Sequence, residues 1–407
     1  MRAPPAPRLS RSLLAALRPV RKAATDERIA VVGGAVRDRL LGLRAAHRDV
    51  DVIVEGDAVA LARRAATSGA LTLKLHERFE TATLETPDGW SIDLARARRE
   101  TYRRPGALPE VSPATLEEDL SRRDFTINAM AVELSGAGAG VRMHDPFGGA
   151  ADLARRVLRV LHPRSFEDDP TRALRAVRYA ARLRLGLETR TRGWLGAAVF
   201  GGALETVSGD RLRRELDRTL SERRFTEAVR LFDSLGIAIA LHPGWRATPA
   251  VLAALARAER FARASREATT WLLPLLVWAG ELSESACHEL AGRLRLVSSA
   301  RRALEGWAST RRDPVAAADR RTSLSSDERL AAAALLPDTG AGRRQKRLWF
   351  APVELTIRGA DLLRAGIPPG PRVGRALAET RAALGNGRIA RAEELPFALR
   401  AARRAGP

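Results

Sequence analysis

The feature that most constrains the fold is a short apolar run that ends in two glycines. Residues 29–32 (IAVV) have the composition of a buried strand, and Gly33 and Gly34 directly after them indicate a sharp turn. Residues 35–41 then carry apolar side chains at helical spacing. Two glycines between a strand and a helix let the backbone approach a phosphate closely and present amide donors at the helix start. Arg37, one turn into that helix, is placed to reach a triphosphate oxygen, although the glycine pair alone also fits an ordinary turn.

A second strand follows in which acidic and apolar residues alternate. In residues 49–54 (DVDVIV), Asp49 and Asp51 share one face because successive side chains of a strand point to opposite sides. The valines of this segment point to the other face, towards a core. Two neighbouring carboxylates repel each other unless a cation lies between them, and paired Asp oxygens suit Mg²⁺ together with substrate phosphates. Taken alone, the pattern also fits a solvated strand face.

Two further segments carry candidate site residues. Asp93 lies in the strand-like segment 91–94 (SIDL), where a lone carboxylate in apolar surroundings is costly. A third carboxylate at the metal site, able to take the proton of an attacking hydroxyl, explains its presence; a turn-capping Asp is the alternative. Residues 122–129 (RRDFTINA) combine charged, hydroxyl and amide groups that suit a ribose and a phosphate. From the residues alone, this segment is interpreted as a capped helix start with Asp124 as the cap.

The last candidate segment begins at residues 168–172 (DDPTR), where Asp-Pro opens a predicted helix. Four arginines of that helix share one face because they recur every three or four residues: Arg172, Arg175, Arg178 and Arg182. A solvated arginine stripe is one interpretation. The other is base selection, since the Asp169 carboxylate accepts from the exocyclic amine of C or A while Arg172 donates to ring acceptors. U and G present a carbonyl oxygen at that position, which a carboxylate repels.

The chain changes character near residue 150. Before it, strand candidates at 82–85 and 90–94 alternate with helical segments, whereas residues 151–407 are rich in Ala, Leu and Arg and are predicted to be all-helical. The first 24 residues lack acids and contain Arg and Ser, which is typical of a transit peptide. We adopt the alternative, a ragged end with one short helix through 13–17.

The composition limits the classes of binding partner that are expected for this chain. The net charge of +21 favours a polyanion such as nucleic acid, because each neutralised phosphate releases counterions, although a general bias towards Arg would also raise it. A single cysteine, Cys287, excludes an internal disulfide and a Cys-based metal site and fits the cytoplasm. The sequence contains no run of about 20 apolar residues, so no membrane partner is expected.

In order, these segments resemble the bacterial class II tRNA nucleotidyltransferase (CCA-adding enzyme) and poly(A) polymerase family. The motifs that carry the resemblance are GGAVRDRLLG (33–42), DVDV (49–52), SIDLARARRETY (91–102), RRDFTINAMA (122–131), DPFGGAADL (145–153) and SFEDDPTRALRAVRYAARL (165–183). Weaker similarity extends through 207–216 and 366–377. One departure is Asp168, where the family usually has Glu. The clustered His-Asp motifs of relatives with a phosphohydrolase domain are missing from the sequence.

The resemblance implies a polymerase-β-like α/β nucleotidyltransferase head followed by an all-helical neck, body and tail. We place an N-terminal extension at 1–25, the head at 26–155, the neck with a nucleotide-selecting helix at 156–230, and the tRNA-binding body and tail at 231–407. By position, Asp49 and Asp51 match the family's metal ligands and Asp93 its third carboxylate. The matched nucleotide-binding positions are Gly33, Gly34, Arg37, Arg123, Asp124, Asn128, Asp169, Arg172, Arg175 and Arg178.

The implied activity is template-independent transfer of CMP and AMP from CTP and ATP to the 3′ end of tRNA, with no required protein partner evident. Catalysis would use two Mg²⁺ ions, one activating the RNA 3′-hydroxyl with the help of Asp93 and the other binding the triphosphate. The motifs are shared by sister enzymes that add only CC, only A, or poly(A), so these activities stay open. A non-catalytic RNA-binding protein is a more distant alternative, which loss of a metal-binding Asp would have favoured.

Overall fold

The computed structural model describes residues 9–43, 48–67, 71–76, 80–134, 142–265, 269–312, 324–339, 342, 354–385 and 388–404. The chain separates into two compact units, Met1–Val207 and Ser208–Pro407. The first unit contains the mixed sheet, and the second is helical. The four segments predicted from the sequence, with boundaries after residues 25, 155 and 230, remain a proposal.

The first unit is built on a seven-stranded sheet with the order β3-β4-β5-β2-β1-β8-β9. Its strands are β1 (Arg28–Val32), β2 (Asp49–Glu55), β3 (Thr72–His76), β4 (Thr81–Glu85), β5 (Ser91–Arg96), β8 (Ala131–Glu133) and β9 (Arg142–His144). A separate hairpin is formed by β6 (Arg98–Thr101) and β7 (Glu110–Pro113). The predicted strands at 29–32, 49–54, 82–85 and 90–94 are confirmed to within a residue or two, whereas β3, β8, β9 and the hairpin were not predicted.

The strand β2 lies in the middle of the sheet, and its alternating sequence divides it into two faces. Val50, Val52 and Val54 are buried, while Asp49 and Asp51 are exposed on the opposite face, as predicted. Ile53 shares the face of the two acids but is buried beneath the helix Leu116–Ser121, in an apolar cluster with Leu116 and Leu120. The acids therefore occupy the start of the strand, where that cover ends.

Helices of the first unit flank the sheet and lead to the arginine-bearing segment. They are α1 (Arg11–Ala16), α2 (Arg18–Ala23), α3 (Gly34–Leu40), α4 (Ala58–Thr67), α5 (Leu116–Ser121), α6 (Gly149–Ala154), α7 (Ser165–Asp168), α8 (Thr171–Leu183) and α9 (Thr189–Phe200). The predicted helix through 13–17 is present as α1, and α2 follows it; the ragged end predicted before it lies mostly outside the described residues. Leu17 and Val20 are fully buried, and the Arg64 side chain of α4 donates to the Ala23 carbonyl at 3.1 Å.

The prediction that everything after residue 150 is helical is wrong in one place. Two short strands, β10 (Val157–Leu158) and β11 (Gly186–Leu187), pair in parallel on either side of α7 and α8. Such two-residue strands carry no periodicity that a sequence could show. The pairing ties the chain before Asp169 to the chain after α8. The α8 prediction itself is confirmed, because Leu174, Val177 and Ala181 are buried.

The α-helices in the described part of the second unit are α10 (Gly209–Leu220), α11 (Phe225–Ser234), α12 (Ile237–Leu241), α13 (Pro249–Ala264), α14 (Leu272–Trp278), α15 (Glu284–Arg293), α16 (Ser298–Arg312), α17 (Ser326–Leu335), α18 (Gly359–Arg364), α19 (Pro371–Gly385) and α20 (Glu394–Arg404). Its core includes Trp245 stacked on Trp278, with ring centroids 3.9 Å apart. The free thiol of Cys287 is buried. Among the described residues, no helix is long and apolar enough to cross a membrane.

Candidate nucleotide-binding and metal site

The first unit contains a cavity of about 780 Å³ that opens above one end of the sheet. All sequence-predicted site residues except Asp49 line it: Gly33, Gly34, Arg37, Asp51, Asp93, Arg123, Asp124, Asn128, Asp169, Arg172, Arg175 and Arg178. Arg182 lines it as well. The structure thus brings together residues that lie as far apart in the sequence as Gly33 and Arg182. The volume is in the range of a pocket that binds a small molecule.

An acidic row formed by Asp49, Asp51 and Asp93 lies at the cavity, and the last two of these side chains line its wall. β2 and β5 are parallel neighbours, and their register places Asp51 directly opposite Asp93. Asp93 is mid-strand, as predicted, but it is exposed to the cavity rather than surrounded by apolar side chains. Its Oδ1 accepts a hydrogen bond of 2.6 Å from the Thr83 hydroxyl. The apolar setting predicted for Asp93 is therefore wrong, because the strand presents the side chain towards the opening, and its role as third carboxylate stays a prediction.

The electrostatics of the acidic row fit a bound cation. Desolvation by the cavity wall raises the pKa of Asp51; the nearby Arg123 opposes this, and the charges of Asp93 and Asp49 add to it. A cation between the carboxylates would relieve the repulsion. Within the described residues, no group of three or more His, Cys, Asp or Glu side chains stands close enough together to hold a metal ion by itself. Two carboxylates whose metal shell is completed by substrate phosphates match the way Mg²⁺ is usually bound.

The glycine turn lies beside the acidic row. Gly33 has φ 66°, a left-handed conformation that favours glycine, and a Cβ at this position would lie 3.2 Å from Nη1 of Arg123. Arg37, one turn into α3, is buried and immobilised: its Nη1 donates to Oδ1 of Asn128 at 2.6 Å and its Nε to Oδ1 of Asp38 at 2.8 Å. The guanidinium is therefore fixed at the cavity surface before any ligand binds.

Asp119 anchors two adjacent arginines and was not predicted from the sequence. It is completely buried on α5, and its carboxylate accepts from Nη2 of Arg122 at 2.6 Å and from Nη2 of Arg123 at 2.9 Å. The capping box of Thr115 and Glu118 fixes the first turn of that helix. The sequence signal was weak, because an acid in the first turn of a helix is usually explained by the helix dipole.

Asp124 does not cap a helix, so the interpretation of 122–129 as a capped helix start is wrong. Phe125 is extended, and only a short 3-10 turn, Thr126–Asn128, follows it. Buried Asp124 instead pairs with Arg175 of α8, whose Nε donates to Oδ2 at 2.8 Å, and accepts from the Asn128 amide at 2.9 Å. Although burial opposes ionisation, the Arg175 charge and these hydrogen bonds lower the pKa of Asp124 to about 2.

The predicted base-selecting pair lies at the start of α8. Arg172 is buried, and its guanidinium donates to the Ser165 hydroxyl at 2.6 Å and to the Arg122 carbonyl at 2.8 Å. Oδ1 of Asp169 accepts from the backbone N–H and the hydroxyl of Thr171, at 3.1 and 2.6 Å. Asp169 therefore has a local structural partner in addition to its place on the cavity wall. Asp168 ends α7, and its carboxylate lies 3.9 Å from Nδ1 of His162.

A second residue missed by the sequence analysis is Tyr179, whose ring lies among three arginines. The guanidinium carbons of Arg37, Arg178 and Arg175 lie 5.2, 5.1 and 5.8 Å from the ring centroid. Cations are attracted to the face of an aromatic ring at such distances. Tyr179 could not be recognised as a site residue from the sequence, because one aromatic residue on a helix usually indicates core packing. Its partner Arg37 also lies far away in the sequence.

A sheet that carries paired carboxylates beside a glycine turn and a cation-lined cavity is the arrangement of a nucleotidyltransferase head. The Poly A polymerase head domain family matches residues 29–159. That family typically uses metal ions.

Whole-length relatives extend the match beyond the head. The chain is 36% identical to the CC-adding tRNA nucleotidyltransferase of Deinococcus radiodurans over 95% of its own length and 92% of that protein. It is 32% identical to the A-adding tRNA nucleotidyltransferase of Geobacter sulfurreducens over 97% of its own length, but spans only about half (48%) of that relative. The Thermotoga maritima CCA-adding enzyme complexed with tRNA has 28% identity and a TM-score of 0.69, with 97% and 96% of the two chains covered. The chain belongs to the class II tRNA nucleotidyltransferase family of CCA-adding enzymes.

Proposed function

We propose that this chain transfers CMP, AMP or both from CTP and ATP to the 3′ end of tRNA with release of pyrophosphate, without a nucleic-acid template and with two Mg²⁺ ions at the acidic row. The observation that carries the proposal is the juxtaposition of the acidic row with a cavity lined by fixed arginines. Related CCA-adding enzymes that are similar in structure hold CTP or ATP, and one holds tRNA. The expected place of the reaction is the cytoplasm.

The acidic row would provide the metal ligands, Asp49 and Asp51, and a proton acceptor. Metal ions bound there would supply positive charge to the reacting phosphate and lower the pKa of the attacking hydroxyl. Asp93 stands directly opposite Asp51, so its carboxylate is available to take the proton of that hydroxyl. The Thr83 hydroxyl, which donates to Oδ1 of Asp93, holds that carboxylate in one orientation.

The arginines would bind and orient the nucleotide. Arg37 and Arg123 flank the glycine turn, where amide donors and guanidinium groups suit a triphosphate. Asp124 and Asn128 hold this wall together and would lie near the sugar. Because these groups are fixed by buried partners before the nucleotide arrives, little ordering is required when it binds.

Base choice would rest on Asp169 and Arg172, both of which line the cavity. The carboxylate of Asp169 would accept from the exocyclic amine of C or A, and Arg172 would donate to a ring acceptor. The buried bonds of Arg172 to Ser165 and to the Arg122 carbonyl restrict its guanidinium to one orientation. A rigid donor discriminates better between bases than a mobile one, because it cannot follow the wrong base.

CC addition without A addition is the second candidate. It is favoured by sequence identity: the CC-adding relative from D. radiodurans is 36% identical over nearly the full length of both proteins, whereas the T. maritima CCA-adding enzyme, matched over a similar length, is 28% identical. The head motifs are common to both activities, so this difference in identity is the observation that favours it.

The deciding experiment is incubation of the protein with four forms of one tRNA, ending in no C, C, CC or CCA, and with labelled CTP or ATP. Full CCA activity extends each of the first three forms to CCA. A CC-adding enzyme stops at CC, an A-adding enzyme extends only the CC form, and a poly(A) polymerase extends the CCA form into a ladder. No incorporation into any form, with a protein that binds tRNA, would contradict the proposal and favour a non-catalytic RNA-binding protein.

A further inference from the structure

The strand order places two different surfaces on opposite sides of the acidic row. Across the sheet, β4 is followed by β5 with Asp93, β2 with Asp51, and then β1, which leads into the turn of Gly33 and Gly34. On the β4 side, the register places Thr83 directly opposite Asp93. The acidic row therefore has the glycine turn, which is suited to bind a phosphate, on one side and threonine hydroxyls on the other.

Two threonines form this hydroxyl surface. Thr81 and Thr83 are two residues apart on β4, so their side chains share one face, and both line the cavity. Thr83 donates its proton to Oδ1 of Asp93 at 2.6 Å, which leaves its oxygen to accept a further hydrogen bond. This surface thus presents hydroxyl groups, whereas α3 and α8 present guanidinium groups to the same cavity.

The geometry of phosphoryl transfer assigns a substrate to each surface. The attacking oxygen and the leaving oxygen lie roughly in line on either side of the phosphorus. The glycine turn and the arginines suit the triphosphate, so the attacking hydroxyl must enter from the β4 side. An RNA 3′ end that enters there brings the 3′-hydroxyl to Asp93 and the neighbouring 2′-hydroxyl to the threonines.

We propose that Thr81 and Thr83 form the binding surface for the terminal ribose of the RNA acceptor and recognise its 2′-hydroxyl. The proposal rests on the function proposed above, which supplies the two substrates. The 2′-hydroxyl is both donor and acceptor, and it is the group by which a protein distinguishes RNA from DNA at a given position. It donates to the Thr83 oxygen and accepts from the Thr81 hydroxyl. Selection for an RNA end thus operates on the acceptor, separately from selection of the incoming base.

The test removes the 2′-hydroxyl from the RNA acceptor and, in separate variants, the hydroxyl from each threonine. Two tRNA acceptors are compared that differ only in the last nucleotide, ribose or 2′-deoxyribose, both with a free 3′-hydroxyl. Wild-type protein should use the ribose acceptor with a kcat/KM about three- to tenfold higher, the range of one neutral hydrogen bond. Thr81→Val should reduce this ratio to about one by slowing the ribose acceptor alone. Thr83→Val should also abolish the preference, and should slow both acceptors because Asp93 loses its hydrogen bond.

Control variants distinguish recognition of the 2′-hydroxyl by these threonines from a contribution of their side chains to folding. Thr81→Ser and Thr83→Ser keep the hydroxyl and should restore the ratio, and Thr72→Val changes an exposed threonine of β3 that does not line the cavity and should leave it unchanged. Valine keeps the branched shape that strands favour, and an alanine pair serves if either valine variant melts early. The KM for CTP should stay the same throughout.

The proposal is overturned if the wild type shows no preference for the ribose acceptor, or if the variants at either threonine keep the wild-type ratio. The function proposed above fails in a different way, when the wild type adds no nucleotide to any ribose-ended tRNA.

Discussion

The acidic row and the arginine wall of the cavity, which comprises Arg37, Arg123, Arg172, Arg175 and Arg178, are held in place by different means. Asp49, Asp51 and Asp93 are positioned mainly by the backbone, because the register of β2 and β5 sets where each carboxylate stands, and a hydrogen bond from Thr83 of the same sheet orients Asp93. The arginines have long side chains, and their guanidinium groups are fixed by buried partners such as Asp119 and Asp124. Short acids on strands thus need only the sheet, whereas long cations need a set of anchors from elsewhere in the sequence.

The largest effect is expected for removal of an acid from the row. Asp51→Ala should lower nucleotide addition by about a thousandfold or more, because charge stabilisation at the reacting phosphate is worth several kcal/mol. The melting temperature should stay nearly the same, since Asp51 is exposed on its strand and removing its side chain leaves no buried space unfilled.

The measurement is single-turnover incorporation together with thermal melting. Glu85→Gln, which alters an exposed ion pair with Lys74 on the same sheet, is the matched control and should retain activity. An Asp51→Ala protein with nearly wild-type turnover would refute metal binding at the acidic row.

Removal of Asp119, the buried partner of two arginines, should affect the free energy of unfolding more than the catalytic step. Asp119→Asn leaves Arg122 and Arg123 without their buried counter-charge, and breaking a buried ion pair typically costs about 3–5 kcal/mol. Denaturant unfolding of the variant should show that loss, while Glu117→Gln on the same helix, which pairs with Arg28 near the surface, should cost less than about 1 kcal/mol. Equal stabilities of the two variants would contradict the assignment of Asp119 as an anchor.

The pair of Asp124 and Arg175 predicts a defined pH dependence. A pKa of about 2 in the folded state, against about 4 in the unfolded state, contributes on the order of 2 kcal/mol at neutral pH. Because the folded-state pKa is the lower one, this contribution is complete above pH 4 and is lost as the pH falls towards 2.

The difference in unfolding free energy between wild type and Asp124→Asn should therefore be largest above pH 4 and shrink below it. Asp88→Asn, at an exposed turn, provides the baseline. A difference that stays constant from pH 5 to 2 would show that the carboxylate contributes through packing and not through its charge.

The smallest effect concerns base choice, where the same residue has a structural and a selective role. Asp169→Ala should reduce the preference for CTP and ATP over UTP and GTP by about tenfold, the value of one good base contact. It should also cost about 1 kcal/mol of stability, because Thr171 loses its acceptor at the start of α8.

The incorporation ratio of the four nucleotides, measured for Asp169→Ala and for Asp168→Ala, separates these roles. Asp168 ends α7 and should leave the ratio nearly unchanged. A lower melting temperature with an unaltered ratio in Asp169→Ala would leave Asp169 with its capping role alone.

Site features that depend on the periodicity of one strand or helix could be predicted from the sequence, whereas those that depend on packing could not. The positions of Asp49 and Asp51 follow from alternation in one strand, and the shared face of Arg172, Arg175 and Arg178 follows from helical spacing, so both were predicted. Asp119 could not be recognised, because its burial and its two partners depend on how α5 packs against the sheet.

Other errors have equally local causes. Asp124 was assigned to a helix cap, since a sequence does not show that Arg175, on a distant helix, pairs with it. The hairpin of β6 and β7 was missed because its short exposed strands show little apolar alternation, whereas β3 alternates in its sequence and could have been predicted. The roles of the site residues stay predictions until the variants are measured.

The parallel pairing of β2 with β5 has a consequence for biosynthesis. Asp51 and Asp93 become neighbours only after the chain between them has crossed over and β5 has been synthesised, and β1 keeps an open edge until β8 emerges from the ribosome. The nascent chain therefore spends that interval with unpaired strand edges, a condition that favours association with other chains. Long-range pairing of this kind also slows folding. We expect the N-terminal unit to depend on chaperones during synthesis, and a chain truncated before residue 131 to aggregate rather than to act as a smaller enzyme.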